Sequence, residues 1–213
     1  MYTDDVGGRS GPHSVLTLTE PVKSKRQTMV EEIKRVLEIA EIIPFRYLIQ
    51  HIGVGEEEYD DRKIDAAFTA LEELKLFGRQ RGVDILLENI PNALSSAERL
   101  IYFLGVTHLN LGFCFDTGHA HMNEGVEPAF ELMKDRIRST HVHDNDGKSD
   151  THLFPMMGNA GTIQWGNVMD CLRTRESQYP LLLELKENVD IPNPLEAAIQ
   201  VFDKLEKQRR HES

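Results

Sequence analysis

Five short apolar runs, each parted from the next by a segment of helical periodicity, constrain this chain more than any other feature. The runs lie near 45–51, 83–88, 109–116, 137–143 and 181–185. Helical spacing is read over 22–42, 64–77, 95–104, 126–135, 165–176 and 194–209. In the first helix Met29, Val30, Ile33, Val36, Leu37 and Ala40 recur at helical period. In the second Ile64, Ala67, Phe68, Leu71, Leu74 and Phe77 share a face, with Gly82 just beyond its end. Strand and helix in strict alternation require right-handed crossovers and hence a parallel sheet. The runs are nearly continuous in apolar residues, which predicts coverage on both faces.

The chemistry sits where the runs end. Glu88, Asp116, His141 and Glu184 each follow an apolar stretch, and His51 ends the first run ahead of Gly53. His119 stands three residues past Asp116, while Asp150 and His152 share a loop rich in Gly and Asp. Carboxylates and imidazoles gathered at the C-terminal ends of parallel strands are what a hard or borderline divalent cation needs, and Mn, Mg, Zn, Co and Fe all fit the mixture. An acidic residue ending a buried strand is costly unless satisfied, so Glu88 and Glu184 are read as ligands ahead of helix caps or ion pairs. Ligands from at least four strands favour a barrel, whose strand ends converge on one mouth, over an open sheet with a single switch point. The expected fold class is therefore α/β, a (β/α) TIM-barrel type, incomplete, with about five of eight strands visible.

At 213 residues and without an interior shift in composition, the chain reads as one domain, 1–213. Residues 1–20 form a loop-like N-terminal segment, and 207–213 a frayed tail. A net charge of −11 opposes a nucleic acid backbone and favours small neutral or cationic substrates. Cys114 and Cys171 lack metal-type or disulfide-type spacing, which suits a reducing cytoplasm. The N-terminus lacks the regions of a signal peptide, and no apolar run spans a bilayer, so a soluble, cytoplasmic protein without a membrane partner is expected.

Taken together, Leu86 to Asn89, Phe115 to His119, His141 to Asn145, Asp150 to His152 and Leu182 to Glu184 resemble the xylose isomerase-like barrel superfamily. That superfamily includes sugar isomerases and epimerases, inosose dehydratases and the endonuclease IV type of abasic-site nuclease. The resemblance covers about 45–190 and implies that Glu88, Asp116, His141 and Glu184 are the core metal ligands. It implies for His119 either a substrate contact or a ligand to another metal. Asp150 and His152 match an additional ligand pair of the nuclease, and His51 matches a histidine at the end of its fourth strand. An earlier strand-end histidine of the family has no counterpart, since His13 lies too far into the following loop.

The expected function is a metal-dependent isomerase or epimerase of a small sugar, sugar derivative or cyclitol. It would work by proton transfer through a metal-stabilised enediolate, with Glu88 and Glu184 exchanging protons at adjacent carbons. His119, His143 and Lys186 are candidate substrate contacts; Lys186 shares a strand face with Glu184, and His143 with His141 if its strand continues. A keto-cyclitol dehydratase would use almost the same site. The alternative reaction class is a zinc-dependent abasic-site endonuclease, motivated by His51, His119, Asp150 and His152 together and opposed by the acidity. A non-catalytic binding protein is a third reading. Five strands leave open edges, so a homo-oligomer is expected.

Overall fold

The computed structural model describes residues 17–174, 177, 179–186 and 190–208. His13, most of the N-terminal segment and most of the tail lie outside these residues. The backbone gathers into two compact units: one holds the residues up to Glu88 with Asn92–Ser95 and Tyr102–Gly112, the other Asn89–Pro91, Ser96–Ile101 and the residues from Phe113 onward.

In the first unit α1 (Lys23–Glu38) leads through a 3-10 turn into β1 (Tyr47–Gln50), followed by α2 (Asp61–Arg79) and β2 (Asp84–Glu88). The two strands pair in parallel, Tyr47 opposite Asp84 and Gln50 opposite Leu87. Helix α1 buries Val30, Ile33 and Leu37 against α2, a stripe at the spacing read from the sequence. Helix α2 is rotated from its expected face. Its buried stripe is Ala66, Ala67, Ala70, Leu71, Leu74 and Gly78, while Ile64, Phe68 and Phe77 are only half-buried. Small residues let α2 lie close to its neighbours, and a Cβ on Gly78 would stand 2.9 Å from the Val83 carbonyl. The Val83 amide donates to the Gly78 carbonyl at 3.0 Å, and Gly82 takes φ +72°, so the chain reverses tightly into buried β2.

In the second unit α3 (Ala97–Val106) has its first residues, and β3 (Gly112–Asp116), α4 (Thr117–Met122), α5 (Val126–Met133), β4 (Ile137–Val142), α6 (Trp165–Leu172), β5 (Leu181–Leu183) and α7 (Pro194–Lys207) follow. Strand β4 pairs in parallel with β3 on one side and β5 on the other, which sets Asp116 opposite His141 and His141 opposite Leu182. Phe113, Cys114, Phe115 and Asp116 are all fully buried, as a strand covered on both faces requires. Helix α4 has no counterpart in the sequence reading, because Thr-Gly-His-Ala-His-Met offers no apolar stripe. It starts because the Asp116 carboxylate accepts the His119 amide at 2.7 Å, an N-cap supplied by the last residue of β3.

Strand β5 ends at Leu183, two residues earlier than expected. Glu184 and Lys186 therefore follow the strand instead of sharing one of its faces, although the Glu184 amide still reaches the Val142 carbonyl at 3.2 Å. His143 likewise follows β4 and is completely buried. The connection from β4 to α6 is organised by Asp144. Its backbone exchanges two 2.8 Å hydrogen bonds with Leu153, and its carboxylate accepts from the amides of Asn145 and Ile163 and from Trp165 Nε1 at 2.6 Å. A Cβ on Gly161 would fall 2.3 Å from the Asp144 carboxyl carbon, so this crossing needs glycine. Five strands alternating with helices, each set of strands parallel within its unit, meet the expectation of a (β/α) architecture.

Candidate metal centre

The first group of candidate side chains in the second unit is delivered by the ends of strands. Asp116 closes β3, His141 is the fifth residue of β4, and Glu184 follows β5. One ligand atom from each of the three lies within 4.8 Å of the others. His141 Nδ1 is 2.9 Å from Glu184 Oε2 and 3.9 Å from Asp116 Oδ2. Asp116 and His141 are buried, whereas the Glu184 side chain is 45% exposed.

Asp116 is held from several sides. Its Oδ1 accepts the His119 amide, and its backbone exchanges hydrogen bonds of 2.9 Å with the Asn89 side chain in both directions. Its Oδ2 is buried and has no hydrogen-bond partner among the described residues. A buried carboxylate oxygen left in that state is expensive, and a divalent cation is the partner that fits it best. Asn89 was not among the residues singled out as functional, although it belongs to the quoted stretch that ends with it; its role depends on a partner 27 positions away.

A second group forms beside the first in the same unit. His119, His143, Asp150 and His152 each place a ligand atom within 4.8 Å of the others. His119 Nδ1 faces the Asn89 carbonyl at 3.0 Å, and His152 Nδ1 faces the Glu184 carbonyl at 2.9 Å. A ring whose Nδ1 donates to a carbonyl presents Nε2 to the site, the arrangement typical of metal-binding histidines. Those Nε2 atoms both look on Asp150, at 3.6 Å from His119 and 3.0 Å from His152. Burial raises the Asp150 carboxyl, but hydrogen bonds from His119 and His152 outweigh it and hold the group well below the carboxylate range. Burial likewise depresses His152, and the Asp150 hydrogen bond, with help from the Glu184 carbonyl, leaves it raised above 6.5. His152 takes φ +48°, a left-handed conformation unusual for a residue with a side chain. Lys186 ties this loop down, its Nζ donating to the Asp150 carbonyl and its amide to that of His152.

In the first unit the end of β2 brings Glu88 within 3.0 Å of His51 Nε2; Glu88 is 2% exposed and His51 44%. His121 bonds to Thr162, and His108 to Glu72 on the surface. A cavity of about 560 Å³ in the second unit, lined by Lys134, Asp135, Arg138, Thr174 and Tyr179, contains none of these candidate ligands.

Comparison with known proteins bears on the fold and the family. A D-tagatose 3-epimerase-like protein superposes with a TM-score of 0.75 at 25% identity, over 92% of this chain and 74% of that one. The IOLI protein, in a structure with a zinc atom bound, shares the fold with a TM-score of 0.72 at 16% identity, over 89% of this chain and 73% of that one. A probable endonuclease 4 of Natronomonas pharaonis is 25% identical over 150 residues, 64% of this chain and 53% of that protein. The chain spans about half the length of the curated relatives it matches. The family model described as xylose isomerase-like TIM barrel matches residues 7–206, and the chain belongs to that family.

Proposed function

We propose that this chain carries the metal-dependent site of an isomerase or epimerase acting on a small sugar, sugar derivative or cyclitol. The observation that supports it most is the convergence of Asp116, His141 and Glu184 from the ends of three adjacent strands, with Asp116 Oδ2 buried and unpartnered among the described residues. Asp116 and His141 would hold a divalent ion together with Glu184. Glu88, at the end of β2 beside His51, is assigned the fourth ligand position on the family pattern. Such an ion, when bound, supplies Lewis acidity toward a carbonyl or hydroxyl oxygen.

The protein's own residues supply the rest. Glu184 combines a 2.9 Å contact to His141 Nδ1 with a side chain 45% exposed, so it can meet substrate and take or return a carbon-bound proton. Glu88 is assigned the reciprocal transfer, and His119 and Lys186 the contacts to substrate hydroxyls. The similarity to a D-tagatose 3-epimerase-like protein supports a ketose-type substrate. The test is solvent deuterium incorporation into a panel of ketoses and keto-cyclitols, run on the metal-loaded protein and on Glu184→Gln. Exchange in the wild type that disappears in the variant supports the reading; loss of water from a keto-cyclitol in place of exchange would move the assignment to a dehydratase.

A second reading, the abasic-site nuclease, is favoured by the group His119, Asp150 and His152 and by the similarity to a probable endonuclease 4. The charge of −11 opposes it, since binding to a phosphate backbone rests mainly on cationic contacts. Cleavage of a duplex with a single abasic site, combined with no exchange on any sugar, would replace the first reading by the second.

A further inference from the structure

His143 is fully buried, and neither of its ring nitrogens has a hydrogen-bond partner among the described residues. An apolar side chain of similar volume would fill this space without losing hydration, so a buried imidazole here calls for a specific reason. Its surroundings supply one. Nε2 lies 3.0 Å from Asp116 Oδ1, a contact close enough for electrostatic attraction though lacking the direction of a hydrogen bond. The ring stacks on His152 with centroids 4.0 Å apart and planes at 12°, and meets the edge of His119 at 5.4 Å. On the other side it lies against Gly118, where an added Cβ would fall 2.0 Å from ring Cε1. His143 thus touches Asp116 of the first ligand group and His152 of the second at once.

We infer that His143 is a positioning residue for the metal centre, an inference that rests on the metal reading above. With the proton on Nε2, the ring and the His119 amide both favour Asp116 Oδ1 as the oxygen turned to the protein, and Oδ2 remains as the oxygen that takes the ion. A carboxylate so divided no longer chooses between its two oxygens when the ion arrives. The stacked face of His143 at the same time fixes the plane of His152, whose Nδ1 is anchored on the Glu184 carbonyl. Complete burial leaves His143 no surface for a sugar, so its action runs through Asp116 and His152.

The experiment titrates the full chain with Co²⁺ alone, following heat and the visible absorption of the bound ion, for the wild type, His143→Leu and His143→Gln. Loss of an outer-shell partner lowers metal affinity by about 10–100-fold, and His143→Leu should fall in that range with a shifted visible band. His143→Gln keeps an N–H donor and should recover part of the loss. A folded His143→Leu within about twofold of wild-type affinity and with an unchanged band overturns the inference, since it falls short of any outer-shell effect. A Gln variant no better than Leu assigns the loss to volume and overturns it too. Should His143→Leu fail to fold, Gly118→Ala takes its place, because it displaces the ring from the opposite side; wild-type affinity there is the contrary result. If the wild type itself binds no Co²⁺, the metal reading falls and takes this inference with it, whereas wild-type binding with indifferent variants removes the inference alone.

Discussion

The two oxygens of Asp116 carry separate assignments, and these separate under mutation. Oδ1 caps α4 through the His119 amide, and Oδ2 is the buried atom assigned to the ion. Asp116→Asn keeps a cap acceptor and removes a buried charge, so the metal-free variant should melt at or above the wild-type temperature. Its metal content after dialysis should nevertheless collapse, by more than the roughly 10–100-fold typical of outer-shell losses. Parallel melting curves and metal analysis check this, and a variant that keeps stoichiometric metal counts against Oδ2 as a ligand atom. The Asp150–His152 pair makes a pH-dependent case. The folded value of His152 is raised above its ordinary 6.5, so in metal-free protein its contribution is complete below that value and is lost as pH rises through the raised one. The stability gap between wild type and His152→Gln should therefore be wider near about pH 6 than near about pH 9, and an equal gap at both would deny the ion pair a role. Burial, with Glu127, Glu131 and Asp170 nearby, pushes the Cys171 thiol up to about 11. Alkylation by iodoacetamide at neutral pH should accordingly be far slower at Cys171 than for a free thiol in a peptide.

At the scale of elements, what the sequence announced and what it concealed divide along a physical line. Helices α1 and α7 and the strands β2, β3 and β4 were legible because burial of one face, or of both, writes itself as an apolar period. The strand-end candidates Asp116, His141 and Glu184 were legible for the same reason, as polar residues closing apolar runs. Helix α4 was not, since it is held by a cap and by backbone contacts rather than by a stripe. The order of the loop from Asp144 to Gln164 was not legible either. Its centre is one carboxylate, paired with an indole 21 residues away and made possible by Gly161. Trp165→Phe should therefore lower stability by about 1–3 kcal/mol, the typical cost of leaving part of a buried charged acceptor unsatisfied. Denaturant unfolding measures it. Because Leu153, hydrogen-bonded to Asp144, adjoins His152, the same variant should also loosen the second ligand group, read as weaker binding of a second Co²⁺ per chain. An unchanged second binding event would mean that the loop is held in place by Lys186 and its neighbours without help from Asp144.

For the whole molecule the governing facts are an acidic surface and an apolar one in the same chain. Leu195, Ile199 and Phe202 recur along α7 at spacings of four and three, 74%, 58% and 37% exposed, and Leu182 of β5 is 49% exposed. On α7 Leu195, Ile199 and Phe202 lie on a different face from Ala197, Val201 and Leu205, which the helix buries, so this helix is apolar on two sides and partnered on one among the described residues. Strand β5 pairs with β4 along one edge, and no second strand pairs with it among the described residues. An exposed apolar helix face and an open strand edge each favour association over a free surface, while a charge of −11 opposes it at long range. Salt screens the repulsion and leaves apolar burial in place. In light scattering, the mass of the chain, 24.3 kDa as a monomer, should thus rise with protein concentration and rise further with added salt. Ile199→Glu together with Leu195→Gln should return it toward the monomer at every concentration. A wild-type mass fixed at the monomer in high salt would show that the α7 face stays free in solution and that association is no part of this fold.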